Sequence, residues 1–120
     1  MKGTFDVNQV KKIYRINLEG FAEPEATEKA VDGLEAKLKS IKASEWSIVI
    51  DCRKLSTFKP EILPILERCY KNIYEKFKNA VLINPENVIA KMQLQRVARQ
   101  SSFTGKFVNT EEEMTNIINA

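Results

Sequence analysis

Ile48-Val49-Ile50, an unbroken β-branched run stopped by Asp51, narrows what this chain can become more than any other segment. A strand with one wet face alternates apolar and polar side chains, so a run without polar interruption belongs at the centre of a sheet, buried on both sides. Ala80-Val81-Leu82-Ile83 is a second run of this kind. Two such strands predict a layered α/β arrangement with helices packed against a sheet.

The remaining segments supply the other parts of that layout. Thr4 to Val7 and Ile13 to Leu18 are β-rich runs parted by Asn8-Gln9 and a basic pair, which predicts an antiparallel hairpin. In its second strand Tyr14, Ile16 and Leu18 alternate with Arg15 and Asn17. Pro24, with Glu23, Glu25 and Glu28 around it, suits the first turn of a helix whose apolar face is expected at Ala26, Ala30, Leu34, Leu38 and Ile41. The central strand is expected to end at Asp51 and a loop to run from Cys52 to Lys59. Pro60 then opens a long helical stretch with Ile62, Leu63, Leu66, Tyr70, Ile73 and Phe77 inward, and Pro64 moves its regular start a residue or two later. Asn84-Pro85 reads as the cap of a third helix through Ser101, with Val88, Met92, Val97 and Ala98 apolar. Gly105 marks its exit loop, Phe107-Val108 a short strand, and Thr110 with Glu113 a capping box before a last helix bearing Met114, Ile117 and Ile118. The expected order is ββαβαβαβα: one α/β domain over residues 1–120, with a mixed central sheet that is largely parallel after the hairpin.

Composition limits the function classes. At 120 residues the chain has room for a single core. The net charge of +3 is spread among acidic residues, as in Glu35-Ala36-Lys37, and aromatic residues do not interleave with the basic ones, so no nucleic-acid partner is expected. No apolar run is long enough for a signal peptide or a membrane span, which predicts a cytoplasmic protein. Cys52 and Cys69 lack metal-type spacing and read as reduced thiols, Cys69 in the core. The chain has no histidine, which removes Ser-His-Asp and Cys-His mechanisms. It also has no GxGxxG and no Walker-type loop, so no cofactor is expected.

Asp51 is the first candidate site residue, because open α/β sheets place ligands at the carboxyl ends of their parallel strands. It can equally fix the strand-to-helix turn by accepting backbone hydrogen bonds. Arg53, Lys54 and Lys59 surround the same loop, and the first two would lower the pKa of Cys52 if they faced it. Ser56 and Thr57 precede the second helix, where a phosphate would meet free amides, or where a hydroxyl would simply cap the turn. Lys91, Gln95 and Arg99, with Arg96 beside them, form a basic stripe that suits an anion or an acidic partner and equally suits a wet helix face. Phe58, Tyr70 and Tyr74 suit the core or a dimer surface.

Ile16-Asn17-Leu18-Glu19-Gly20-Phe21, Ile48 to Leu55, Ala80 to Ile83 and Phe107 to Glu113 together resemble the STAS, or SpoIIAA-like, superfamily. The resemblance spans nearly the whole chain. It implies a small non-enzymatic module that binds protein partners, nucleotides or lipids, switched by phosphorylation in the anti-sigma-factor antagonists. Their acceptor serine lies in an Asp-Ser-Ser-Gly-type turn, where this chain reads Thr57-Phe58-Lys59-Pro60-Glu61-Ile62, so the switch does not carry over. The resulting expectation is a binding or regulatory module, for a protein partner or a small or apolar ligand between helices and sheet, recognised through Cys52 to Pro60. Two alternatives stand beside it: a small enzyme using Asp51 with Lys54 or Cys52, and a homodimer or larger self-assembly.

Overall fold

Ile48, Val49 and Ile50 occupy the middle of the sheet, each no more than 1% exposed. The computed structural model describes residues 2–119. A hairpin of β1 (Lys2–Asn8) and β2 (Ile13–Gly20) is followed in parallel by β3 (Ser47–Leu55), β4 (Asn79–Ile83) and β5 (Lys106–Val108), in the spatial order β1-β2-β3-β4-β5. The helices are α1 (Pro24–Leu38), α2 (Leu63–Arg68), α3 (Val88–Gln100) and α4 (Glu111–Ile118).

Because successive strand residues point to opposite faces, the sheet divides its apolar residues between two cores. Ile48, Ile50, Cys52 and Leu82 face α1, α2 and α3 and pack with Val31, Leu34, Tyr70, Leu94 and Val97. Val49, Val81, Ile83 and Val108 face the other way and pack with Met114 of α4. Thr110 caps α4 as the spacing requires, its hydroxyl accepting the Glu113 amide at 3.1 Å. Gly105 is needed for close approach, since a Cβ there would stand 2.1 Å from the Phe103 ring and 2.7 Å from the Ala80 carbonyl.

The structure corrects the expected layout at four places. First, β3 continues to Leu55 because β2 stays beside it: after a register shift between Asn17 and Glu19, Glu19 pairs with Lys54 and Gly20 with Leu55. Second, the first turns of α1 bury Thr27 and Val31 and leave Ala26 and Ala30 exposed, while Leu34, Leu38 and Ile41 pack on the core as expected. Thr27 tolerates burial because its hydroxyl donates to the Glu23 carbonyl at 2.6 Å, leaving its methyl inward. Third, α3 is capped by Asn87, whose Oδ1 accepts the Ala90 amide at 3.0 Å. Asn84 is instead a buried residue at the end of β4, donating to Asn109 and accepting from Gln95. Val88 and Met92 consequently face solvent, and Ala90 and Leu94 face the core. Fourth, the second helical stretch is broken into a 3-10 turn (Pro60–Ile62), the short α2, a π turn (Cys69–Ile73) and a second 3-10 turn (Tyr74–Lys76). Pro60 and Pro64 both lack an amide hydrogen, which disrupts the i to i−4 ladder at its start.

Candidate functional site

Asp51 lies at the middle of β3 on the α4 side, opposite Ile83 where β4 ends, in a lattice of alternating charge. Arg15 of β2 donates to Asp51 Oδ2 at 2.8 Å and to Glu111 Oε2 at 3.0 Å, and pairs also with Glu111 Oε1. Arg53 donates to Asp51 through Nη2 at 2.7 Å and Nε at 3.0 Å, and to Glu111 at 2.9 Å. The Arg53 backbone amide adds a bond to Asp51 Oδ1 at 3.1 Å, so the turn-fixing role is present as well. Asn17 accepts from Arg15 at 2.8 Å and donates to Asp6 at 3.0 Å, extending the lattice to β1. The two guanidinium groups and two carboxylates cancel in charge and tie the first turn of α4 to β2 and β3.

This geometry settles what the groups can do chemically. Burial alone would raise the Asp51 carboxyl, but the Arg53 hydrogen bonds and the Arg53 and Arg15 charges hold it below the usual carboxylate range. Hydrogen bonding from Arg15 likewise holds Glu111 low, against a smaller opposing effect of burial. A carboxylate so committed is a poor proton acceptor near neutrality. Cys52 lies on the opposite face, fully buried, where desolvation and then the Asp51 charge push its thiol well up. Arg53 serves Asp51 on one face while Cys52 lies on the other, so the condition under which Arg53 would lower that thiol is not met.

Asp51, Arg53 and Lys54 border one open cleft of about 450 Å³, with Thr4, Asn17, Glu19 and Glu86 on its other walls. Ser56, Thr57 and Lys59 do not line it. Ser56 and Thr57 are half-buried, and the Ser56 amide donates to the Gly20 carbonyl at 3.0 Å. Neither hydroxyl caps a helix, and the Ile62 amide is taken by the Lys59 carbonyl. In the turn where a phosphate was expected, the amides of Ser56, Phe58 and Ile62 are already engaged by Gly20, Gln93 and Lys59. Lys59 pairs with Glu23 at 3.9 Å and lies over the Phe21 ring. The whole segment is pinned by Gln93, whose side chain accepts the Phe58 amide at 2.9 Å and donates to the Phe58 carbonyl at 3.1 Å.

On α3 the basic stripe is only partly free. Gln95 is engaged with Asn84 at 3.2 Å, whereas Arg96 and Arg99 border a shallow depression with exposed Ile89 and Met92. Lys91, at the head of the stripe, is half-buried.

A different site lies on the other face. Between α1, the irregular second helical stretch and β1 to β4 is an apolar cavity of about 180 Å³. Its walls include Ile16, Leu34, Ile50, Cys52, Phe58, Leu66 and Tyr70, and its rim holds the exposed residues Gly3, Phe5, Ala26 and Ala30. Two polar groups on the wall are satisfied within the protein: the Tyr70 hydroxyl donates to the Leu94 carbonyl at 3.0 Å, and Thr27 donates to Glu23. Burial pushes the Cys69 thiol up to about 11, so this wall is uncharged near neutrality. The π turn Cys69–Ile73 contributes Cys69 and Tyr70 to it.

The sequence reading missed Arg15, Glu111 and the α1 rim. Arg15 was visible only as the polar phase of an alternating strand, and Glu111 only as one of three acidic residues in the first turn of α4. Among the described residues no cluster of His, Cys, Asp and Glu could hold a metal ion, and no helix is long and apolar enough to cross a membrane.

No protein-family model and no curated protein matches the chain. Solved structures do. An uncharacterised protein of the DUF3478 family with a SpoIIAA-like fold, from Shewanella loihica PV-4, superposes with a TM-score of 0.64 at 16% identity, covering 98% of this chain and 92% of that one. The anti-sigma factor antagonist SpoIIAA in its unphosphorylated form gives 0.63 at 16% identity, covering 97% and 96%. The hairpin-led, otherwise parallel sheet with helices on both faces is therefore a SpoIIAA-like α/β fold.

Proposed function

We propose that the chain is a non-enzymatic binding module that holds a small apolar ligand between α1 and the sheet. The observation that carries this reading is the cavity itself. Protein interiors pack as densely as organic crystals, and an apolar void of roughly 150 Å³ stays dry and takes up benzene. A cavity of about 180 Å³ with an apolar wall and an opening at Phe5 and Ala30 suits a single ring or an alkyl chain of about six to eight carbons.

Titration with 1-octanol, followed by amide and methyl chemical shifts, tests it. Saturable shifts at Leu34, Ile50 and Tyr70, lost in Ala30→Phe, are expected. Shifts scattered over the surface, or none up to the solubility of the alcohol, would sink the reading.

A second reading, a protein partner, draws on α3, where Val88, Ile89 and Met92 are 67%, 56% and 62% exposed beside Arg96 and Arg99. An apolar strip edged with cations favours an acidic amphipathic segment. Charge reversal at Arg96 and Arg99 would abolish capture of such a partner, while reversal at Arg53, Lys54 and Lys59 tests the surface of the segment that follows the central run of β3. Phosphorylation control is not part of the proposal, because Phe58 and Pro60 stand in the turn where the antagonists carry their serine.

A further inference from the structure

Most charges on α1 and just before it are paired off; Glu28 and Lys37 are the exceptions among the described residues, and of these two it is Lys37 that lies against a rim residue of the apolar cavity. On α1 and just before it, Glu23 pairs with Lys59, Glu25 with Lys29, and Asp32 and Glu35 both with Arg68. Among the described residues no ion pair engages Lys37. Its ammonium lies instead 4.8 Å from the centroid of the Phe5 ring, and Phe5 is the rim residue contributed by β1. Lys37 is one helical turn beyond Leu34, which forms the wall below it.

The interior offers nothing to a charged end group: the Tyr70 hydroxyl and Thr27 are bonded within the protein, and the Cys52 and Cys69 thiols and the buried Tyr74 hydroxyl carry no positive charge. A ligand with a charged end must keep that end at the rim. There the unpaired charge is positive, and it is held over an aromatic face that leaves the remaining ammonium hydrogens open to an acceptor. Resting on the apolar-ligand reading above, we infer that the preferred ligand is a small amphipathic anion, an alkyl or aryl carboxylate whose chain fills the cavity and whose carboxylate pairs with Lys37 beside Phe5. Lys37 is then the residue that distinguishes an acid from the alcohol of the same chain length.

Octanoate and 1-octanol, titrated separately at pH 7 and low salt, separate the two ideas. The wild-type chain is expected to bind octanoate about two- to fivefold more tightly than octanol, the range of a solvent-exposed ion pair. Lys37→Gln should bring octanoate down to the octanol value and leave octanol unchanged, Lys37→Arg should keep the preference, and Lys39→Gln, which lowers net charge without touching Phe5, should keep it too. Added salt should erode the preference in the wild type and in the variants that keep it, and leave Lys37→Gln unchanged. Octanol binding with no preference for octanoate would overturn the role of Lys37 and spare the cavity reading. Equal loss of preference in Lys39→Gln would reduce it to general charge attraction, and failure of both probes would remove the cavity reading itself.

Discussion

On the face of the sheet covered by α1, α2 and α3, closure leaves a hole; on the face covered by α4, it leaves charge. α4 has only eight residues, enough to cover Val49, Val81, Ile83 and Val108 with Met114. Beyond its first turn the sheet surface turns polar, and Arg15, Asp51, Arg53 and Glu111 satisfy one another there. The longer α1 runs over β1 and β2 yet sends in only Thr27, Val31 and Leu34 as buried side chains, with alanines at the rim. Small residues at a helix edge cannot reach the sheet, so the gap stays open. Rigidity belongs to the charged face, and room for a ligand belongs to the apolar one.

Truncation inside the two cores should expose this difference most strongly. Ile83 is fully buried on the α4 side and away from the cavity, so Ile83→Ala should cost about 4 kcal/mol, in the upper half of the usual range for such changes. Leu34 already faces the void, so Leu34→Ala removes fewer contacts and should cost about 2 kcal/mol. Urea unfolding of both variants decides it. Equal costs would mean that the cavity-side core is as tightly packed as the other.

Breaking the lattice comes next in size. Arg15→Met removes hydrogen bonds to both carboxylates and should cost about 1.5–3 kcal/mol at pH 7. The cost should shrink as pH falls toward 3, because below the ordinary carboxyl values the unfolded chain takes up protons and the advantage of keeping these carboxylates ionised beside Arg15 declines. A variant equally destabilised at both pH values would show that Arg15 acts through packing of its stem.

Arg15 also marks the limit of what the sequence could tell. Ile48-Val49-Ile50 and Ala80 to Ile83 disclosed a central, doubly covered sheet because burial on both faces is written in consecutive residues. The Thr110 and Glu113 cap was legible for the same reason, being a spacing of three. Asp51 could be singled out from its place after the apolar run, but its partner Arg15 stands 36 residues away along the chain and Glu111, which shares Arg15 and Arg53 with it, 60, and only the tertiary fold brings them together. The first turns of α1 were misread because helical periodicity ranks alanine above threonine, whereas Thr27 bonds back to Glu23 and buries its methyl. The rim of the cavity lies where that misreading occurred, at Ala26 and Ala30. The loop expected from Cys52 to Lys59 is half strand because β2 extends far enough to pair with it, a fact held by Glu19 and Gly20 and not by the loop residues.

Each face should have its own pH limb. Asp51 and Glu111 are held below their ordinary values in the fold, so the unfolded chain takes up protons first as pH falls. Their contribution is complete above about pH 5 to 6, clear of the ordinary carboxyl values, and is lost on acidification through the folded values, with a slope of at most about 1.4 kcal/mol per pH unit for Asp51 and less for the more exposed Glu111. On the other face Cys69 is raised to about 11 by burial, and Tyr70 and Tyr74 are raised by the same cause. There the folded chain holds protons that the unfolded chain gives up, so stability falls as pH rises above about 8.5, the ordinary thiol value. Arg15→Met should flatten only the acid limb and Cys69→Ala should soften only the alkaline one. Crossed effects would show that the two faces are energetically coupled through the sheet.

The smallest expected effect tests how α4 is held. Thr110 satisfies the Glu113 amide, and its loss in Thr110→Ala should cost about 1 kcal/mol. The adjacent residue is Glu111, which carries the lattice contacts to Arg15 and Arg53, so the cap and the lattice fasten the same helical turn. If that turn is fastened as a unit, Thr110→Ala and Arg15→Met together should cost less than the sum of the two, because a turn already released by one change has less to lose from the other. A double-mutant cycle with a coupling of about 0.5 kcal/mol or more would place cap and lattice in one cooperative anchor. Strict additivity would mean that the lattice binds the sheet residues among themselves and leaves α4 to its cap and to Met114, narrowing the rigid region to β2 and β3.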